Sequence, residues 1–308
     1  MNRISPEEYG TCMVRPDDFD AFWDDILTQV ARIPLNASVE LLQLRSTPEV
    51  EVYEVHYDSL DGVRIAGWYC LPAQRQGKRP AILHVPGYNQ DPPIPKDTAR
   101  LGYAAFSAAP RGKLRSNAQF NPGYPGLLTH NIVDRNTYSY RGFYIDAVRA
   151  FEFLCSRAEV DPERIGVTGG SQGGALTLVV SGLCPAIRAA AAGAPYLCGF
   201  MDAIELTHTY PYQEIRDYLR LYPEREEAVR QTLSYFDGIH FGPRITCPII
   251  VNIGLQDNVC PPETGYAAFG TIAAQDKKLY PYDQCGHDAG SSVHKEIVEE
   301  FFKTHLTP

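Results

Sequence analysis

Six residues, Gly169-Gly170-Ser171-Gln172-Gly173-Gly174, constrain this 308-residue chain more than any other stretch. They follow the apolar run 164–168 and precede Ala175-Leu176-Thr177-Leu178-Val179-Val180, so the serine falls where a strand turns into a helix. A turn that sharp lifts the hydroxyl above the end of a sheet, and glycines on either side remove side chains that would collide there. The helix that follows presents its first backbone N–H groups beside the hydroxyl. A phosphate loop would need Gly-Lys-Ser/Thr or G-x-G-x-x-G, and the segment has neither. The pattern predicts a nucleophilic serine at position 171.

The rest of the chain supplies the sheet. Short apolar runs at 81–85, 103–107, 165–168, 189–193, 249–253 and 278–282 alternate with helix-length stretches, the clearest at 140–155. Continuous apolar strands separated by helices predict an α/β fold with a mostly parallel central sheet covered on both faces. Ahead of them, 52–57 and 63–69 flank Asp61-Gly62 and read as a hairpin. Residues 1–40 read as a helical N-terminal extension, because Phe19, Phe22, Trp23 and Ile26 recur at helical spacing. Residues 199–242, rich in Tyr and charge, read as a helical cap insertion with helices at 203–207, 213–221 and 224–235. With no repeat or linker, residues 1–308 are expected to form a single domain.

A serine hydroxyl is too weakly acidic to attack unaided and needs a base held by an acid. The run 249–253 leads into Gly254-Leu255-Gln256-Asp257, and the run 278–282 into Asp283-Gln284-Cys285-Gly286-His287. Asp257 and His287 therefore sit at strand ends, in the order Ser, Asp, His found on α/β-hydrolase sheets. Asp283, only four residues before His287, is a weaker rival. His84 lies in a strand and reads as packed core; His56, His130, His208, His240, His294 and His305 read as structural or solvated. The loop His84-Val85-Pro86-Gly87-Tyr88-Asn89 follows an early sheet strand, which assigns the N–H groups of Tyr88 and Gln172 as an oxyanion hole. The side chain of Tyr88 would wall the pocket. There is no H-E-x-x-H and no paired Cys/His spacing, so neither a metal nor a cofactor is expected.

Lys+Arg 28 against Asp+Glu 37 gives a net charge of −9 with no basic run, which argues against nucleic-acid and anionic-membrane partners. No apolar run approaches the ~18 residues of a membrane span. The start, Met1-Asn2-Arg3-Ile4-Ser5-Pro6-Glu7-Glu8, lacks a secretory apolar stretch. Eight scattered cysteines with no C-x-x-C read as free thiols in a reducing compartment, and the expected location is cytoplasmic.

With these pieces in place, the chain resembles the acetyl xylan esterase/cephalosporin-C deacetylase family, carbohydrate esterase family seven, over nearly its whole length. The likeness runs through Arg15-Pro16-Asp17-Asp18-Phe19-Asp20-Ala21-Phe22-Trp23, Pro86-Gly87-Tyr88, Arg111-Gly112 and Gly170-Ser171-Gln172-Gly173-Gly174. It continues through Pro211-Tyr212-Gln213-Glu214-Ile215, Gly254-Leu255-Gln256-Asp257, Cys260-Pro261-Pro262 and Gly286-His287. The resemblance implies an α/β-hydrolase that deacetylates small sugars, xylo-oligosaccharides and the acetoxymethyl group of cephalosporins. It also implies a homo-oligomer, commonly a hexamer. It places the triad on Ser171, Asp257 and His287, the oxyanion hole on Tyr88 and Gln172, and a substrate-binding stretch on Tyr210 and Pro211, with Tyr88. Two positions depart from the family pattern: Lys113 stands where Arg-Gly-Gln is usual and Asp288 where His-Glu is usual.

Two other functions fit the elbow. A peptidase of the prolyl-oligopeptidase type shares it, but the ~80 N-terminal residues are too few for a propeller. A silent binding protein on the same fold would have no need of all three triad members.

Overall fold

Apolar runs that alternate between two faces give one nine-stranded sheet. A computed structural model describes residues 5–307; Met1–Ile4, at the start of the lead-in, and Pro308 lie outside the described residues. The strands are β1 (Ser38–Leu41), β2 (Val50–Asp58), β3 (Arg64–Pro72), β4 (Arg79–His84), β5 (Ala104–Ala109), β6 (Val160–Gly170), β7 (Ala189–Gly193), β8 (Ile249–Gly254) and β9 (Lys277–Tyr282). Their order across the sheet is β1-β2-β3-β5-β4-β6-β7-β8-β9. The pairs from β5 to β9 are parallel. Those joining β1, β2, β3 and β5 are antiparallel.

The helices are α1 (Phe19–Val30), α2 (Lys96–Arg100), α3 (Ser139–Cys155), α4 (Gln172–Leu183), α5 (Phe200–Leu206), α6 (Tyr212–Leu221), α7 (Glu226–Ser234), α8 (Pro262–Thr271) and α9 (Ser291–Leu306). Ala81 and Leu83 of β4, Ala190 and Ala192 of β7, and Ile249 and Val251 of β8 face the large core that takes in α3 and α4. Their neighbours Ile82, Ala189, Ala191 and Ile250 point the other way, onto Phe302 and Leu306 of α9. Burial on both faces is why these strands read as continuous apolar runs. No described helix is long and apolar enough to cross a membrane.

The hairpin forms at Asp61-Gly62, where φ is +62° and +73°, and its strands extend to the pair Asp58–Arg64. Two successive positive φ values are what an Asp-Gly turn supplies. The lead-in is less helical than its aromatic spacing suggests. Among its described residues only α1 and one 3-10 turn at Pro6–Glu8 are helical, and Ser38–Leu41 pairs with β2 as an edge strand. Trp23 is fully buried and its indole N–H donates to the Tyr235 carbonyl at 2.9 Å, which docks α1 on the end of the 199–242 segment. That segment carries α5, α6 and α7. Asp237 closes its base by accepting N–H bonds from Gly199 and Phe200 at 2.9 Å and from Ile239 at 3.0 Å.

Candidate active site

Ser171 caps α4 with φ +58° and ψ −121°. A non-glycine residue held there carries roughly 1–3 kcal/mol of backbone strain. Its N–H donates to the Gly193 carbonyl at 2.8 Å and its carbonyl accepts from Tyr196 at 3.0 Å, so β7 and the loop after it hold the turn from both ends. A Cβ at Gly173 would stand 2.2 Å from the Val85 carbonyl oxygen, and one at Gly174 2.4 Å from that of Gly193. Backbone, not a movable side chain, fills those spaces, so the two glycines are required by close approach.

Asp257 and His287 come together as the strand-end reading expects. Asp257 Oδ1 accepts from the N–H groups of Val259 at 2.8 Å and Cys260 at 2.9 Å. Its Oδ2 lies 2.8 Å from His287 Nδ1. The carboxylate is 1% exposed and the imidazole 35%, so the pair has a buried end and an open end. A carboxylate acceptor assigns the ring proton to Nδ1 and leaves Nε2 free to take another. Asp283, the rival acid, is exposed and its carboxylate accepts from the N–H of Gln284.

Ser171 and His287 line the same two clefts, one of about 430 Å³ and one of about 460 Å³. Among the described residues no side-chain hydrogen bond joins the two; the Ser171 side chain lies near the buried Cys260 thiol. Hydroxyl–imidazole contacts of this type commonly tighten only when substrate binds. Asp257, Cys260 and His287 also bring donor atoms within 4.8 Å of one another. Both carboxylate oxygens are already engaged and burial pushes the Cys260 thiol pKa well up, so Asp257 and His287 form the hydrogen-bonded pair of this trio.

Two backbone N–H groups without a backbone acceptor lie close to the elbow in the chain or the cleft. Gln172 is the first residue of α4, where an N–H has no intrahelical partner. The Tyr88 N–H bonds no backbone acceptor among the described residues. The Tyr88 ring packs edge-on against Tyr124 at 4.8 Å, and its hydroxyl donates to Glu214 at 2.8 Å. Burial and then the Glu214 carboxylate raise the phenol pKa well above its ordinary value. Tyr210 and Pro211 line the smaller cleft with Tyr88, Ser171 and His287, and the Tyr210 hydroxyl donates to Asp217 at 2.7 Å.

Glu214 is the site-supporting residue that sequence reasoning quoted only as part of a segment. Its carboxylate is buried and accepts from Tyr88, from the N–H groups of Gly126 at 2.7 Å and Thr129 at 3.2 Å, and from the Thr129 hydroxyl at 2.9 Å. A glutamate between Tyr212 and Ile215 on the buried face of a helix is the signal that would have found it. Of the two departures, Asp288 is exposed at the cleft rim, while Lys113 is buried and bonds the Gly87 carbonyl.

The family profile described as acetyl xylan esterase matches residues 5–305. The acetyl esterase Axe7A of Xylanibacter ruminicola is 30% identical over 295 residues, covering 90% of this chain; the chain spans 64% of that protein's length. Among solved structures, an acetyl xylan esterase from Paenibacillus sp. R4 superposes with a TM-score of 0.91 at 36% identity, covering 98% of both chains. Acetyl xylan esterase 1 from Thermoanaerobacterium sp. JW/SL YS485 superposes with a TM-score of 0.91 at 25% identity and the same coverage.

Proposed function

The chain belongs to the acetyl xylan esterase family, and on that premise we propose that it is a serine esterase that removes acetyl groups from small acetylated carbohydrates. One observation carries the reading: a buried carboxylate orients His287 at 2.8 Å in a cleft that the strained Ser171 also lines. Ser171 attacks the acetyl carbonyl as His287 Nε2 takes its proton, and Asp257 stabilises the imidazolium. The oxyanion is received by the Tyr88 and Gln172 N–H groups. His287 protonates the departing sugar oxygen, the acetyl–serine ester remains, and water activated by the same base releases acetate.

Cleft volumes of about 430 and 460 Å³ suit a ligand of a few sugar rings more than a polymer. Acetylated xylo-oligosaccharides and monosaccharide acetates are therefore the proposed substrates, with the acetoxymethyl group of cephalosporin C as a further one. Assembly into a homo-oligomer belongs to the same reading and is tested by sedimentation.

The deciding assay compares these acetates, p-nitrophenyl acetate and a peptide p-nitroanilide. Acetyl esters turned over by the native protein, with Ser171→Ala at background and the anilide untouched, is the expected result. Turnover that survives Ser171→Ala would refute the nucleophile, and anilide cleavage matching ester cleavage would favour a peptidase.

A further inference from the structure

Lys113 is 1% exposed, an unusual burial for an ammonium group. Its Nζ lies 5.0 Å from the ring centre of Tyr124, 5.9 Å from Phe143 and 6.0 Å from Tyr88, inside an aromatic box. The ammonium donates to the carbonyl oxygen of Gly87. That oxygen and the Tyr88 N–H are opposite ends of one peptide unit, planar and trans. With the oxygen held toward the buried lysine, the N–H points the opposite way; Gly87 and Tyr88 both border the cleft that Ser171 and His287 share.

Resting on the esterase reading above, we propose that Lys113 is a positioning residue for the reaction: through the Gly87–Tyr88 peptide it orients and polarises the N–H that receives the oxyanion. A cation at a carbonyl draws electron density along the amide and makes the N–H a stronger donor, as in any chain of coupled hydrogen bonds. Packing alone does not call for a charge here, because burying an ammonium costs free energy that an apolar side chain of the same length would not. Lys113 is thus placed to act on charge that exists only in the transition state, where a contribution appears in kcat and not in KM.

The charged and titratable groups around Lys113 are few. Among the described residues Asp91, on the loop after β4, is the opposite charge that acts on it, and burial raises that carboxyl's own pKa. The phenols of Tyr88 and Tyr124 are both pushed up, by burial first and Glu214 second, so they stay neutral. Phe143 of α3 carries no charge. Burial draws the lysine down to about 7, inside the range where an esterase works. Deprotonation removes the positive charge from the Gly87 carbonyl and weakens the donor, so turnover acquires an alkaline limb that belongs to Lys113.

Full-length wild type, Lys113→Met and Lys113→Gln test this on p-nitrophenyl acetate between about pH 5.5 and 9.5. Lys113→Met is expected to lower kcat roughly tenfold with KM within about twofold. Lys113→Gln, which keeps a donor and removes the titration, is expected to lose the alkaline limb. Dual labelling with ¹³C-carbonyl glycine and ¹⁵N-tyrosine reports the Gly-Tyr peptides 87–88, 102–103, 123–124 and 265–266. The Tyr88 amide is expected to titrate near neutrality in wild type and to stay flat in Lys113→Gln.

An unchanged kcat in folded Lys113→Met, an alkaline limb that persists in Lys113→Gln, or a Tyr88 amide that does not titrate would each overturn the proposal. Should Lys113→Met not fold, Lys113→Gln and the amide titration decide alone. Failure of the esterase reading shows separately, as acetyl ester turnover that Ser171→Ala leaves intact, and the amide titration does not depend on it.

Discussion

Tyr88 Oη donates to Glu214 Oε2 at 2.8 Å, a bond that reaches across 126 residues from the loop after β4 to helix α6. Glu214 also holds Gly126 and Thr129, so one carboxylate sets the positions of two loops beside the cleft that Ser171 lines. The insertion is thereby part of the cleft wall.

Removing that carboxylate leaves several donors without an acceptor. Glu214→Ala is expected to cost about 3 kcal/mol of stability, since buried unsatisfied donors cost about 1–3 kcal/mol each and partial collapse offsets some of it. Acyl selectivity is expected to relax as Tyr88 loses its anchor, seen as a rise in p-nitrophenyl butyrate turnover relative to acetate. Tyr88→Phe removes one donor of the four and is expected to cost about 1 kcal/mol. Urea denaturation separates the two variants; equal losses would show that Glu214 acts through Tyr88 alone.

Asp257→Asn tests how the imidazole is oriented. Oδ1 must accept from Val259 and Cys260, so an asparagine oxygen is retained there and its NH2 group faces His287 Nδ1. That reverses the ring's tautomer and puts the proton on Nε2, where a base is needed. A fall in kcat of roughly 10⁴ with KM little changed is expected. A loss below about tenfold would remove Asp257 from the relay.

Much of this site was readable because its residues stand where apolar runs stop. Ser171, Asp257 and His287 each lie just past β6, β8 or β9, and strands apolar on both faces are conspicuous. β1 left no such trace: its four residues sit at the sheet edge and are mostly exposed, so no alternation marks them. α2, at five residues, is too short for a helical period to show. Glu214 was visible as a residue and not as part of a site, and Lys113 as a departure from the family pattern without its partner. The partners of Glu214 lie 85 or more residues away, and Lys113 bonds a backbone oxygen that no residue type advertises.

His84 Nε2 and the Thr98 hydroxyl are hydrogen-bonded at 2.9 Å at the end of β4, and desolvation draws the imidazole pKa down to about 4. Between about 4 and 6.5 the unfolded chain binds a proton that the folded one does not. Stability from this residue is therefore complete above pH 6.5 and declines as pH falls toward 4, by up to about 1.4 kcal/mol per unit. His84→Gln is expected to flatten the decline, read as a smaller shift in urea midpoint between about pH 7 and pH 4.5. Parallel shifts in wild type and variant would assign the acid sensitivity to other groups, such as His294, whose pKa burial also lowers.

The elbow's strain makes the last expectation unusual, because a change that abolishes the nucleophile should also stabilise the fold. At φ +58° and ψ −121° a Cβ is unfavourable, and glycine relieves it. Relief of roughly 1–3 kcal/mol is offset in part by the greater freedom of glycine in the unfolded chain, leaving a gain of about 1 kcal/mol for Ser171→Gly. Ser171→Ala keeps the Cβ and should stay near wild-type stability. Both variants lack the hydroxyl, so acetyl ester turnover is lost in each and the stability difference between them isolates the backbone. If Ser171→Gly melts at or below Ser171→Ala, the turn is not strained, and the sharp geometry costs the fold nothing.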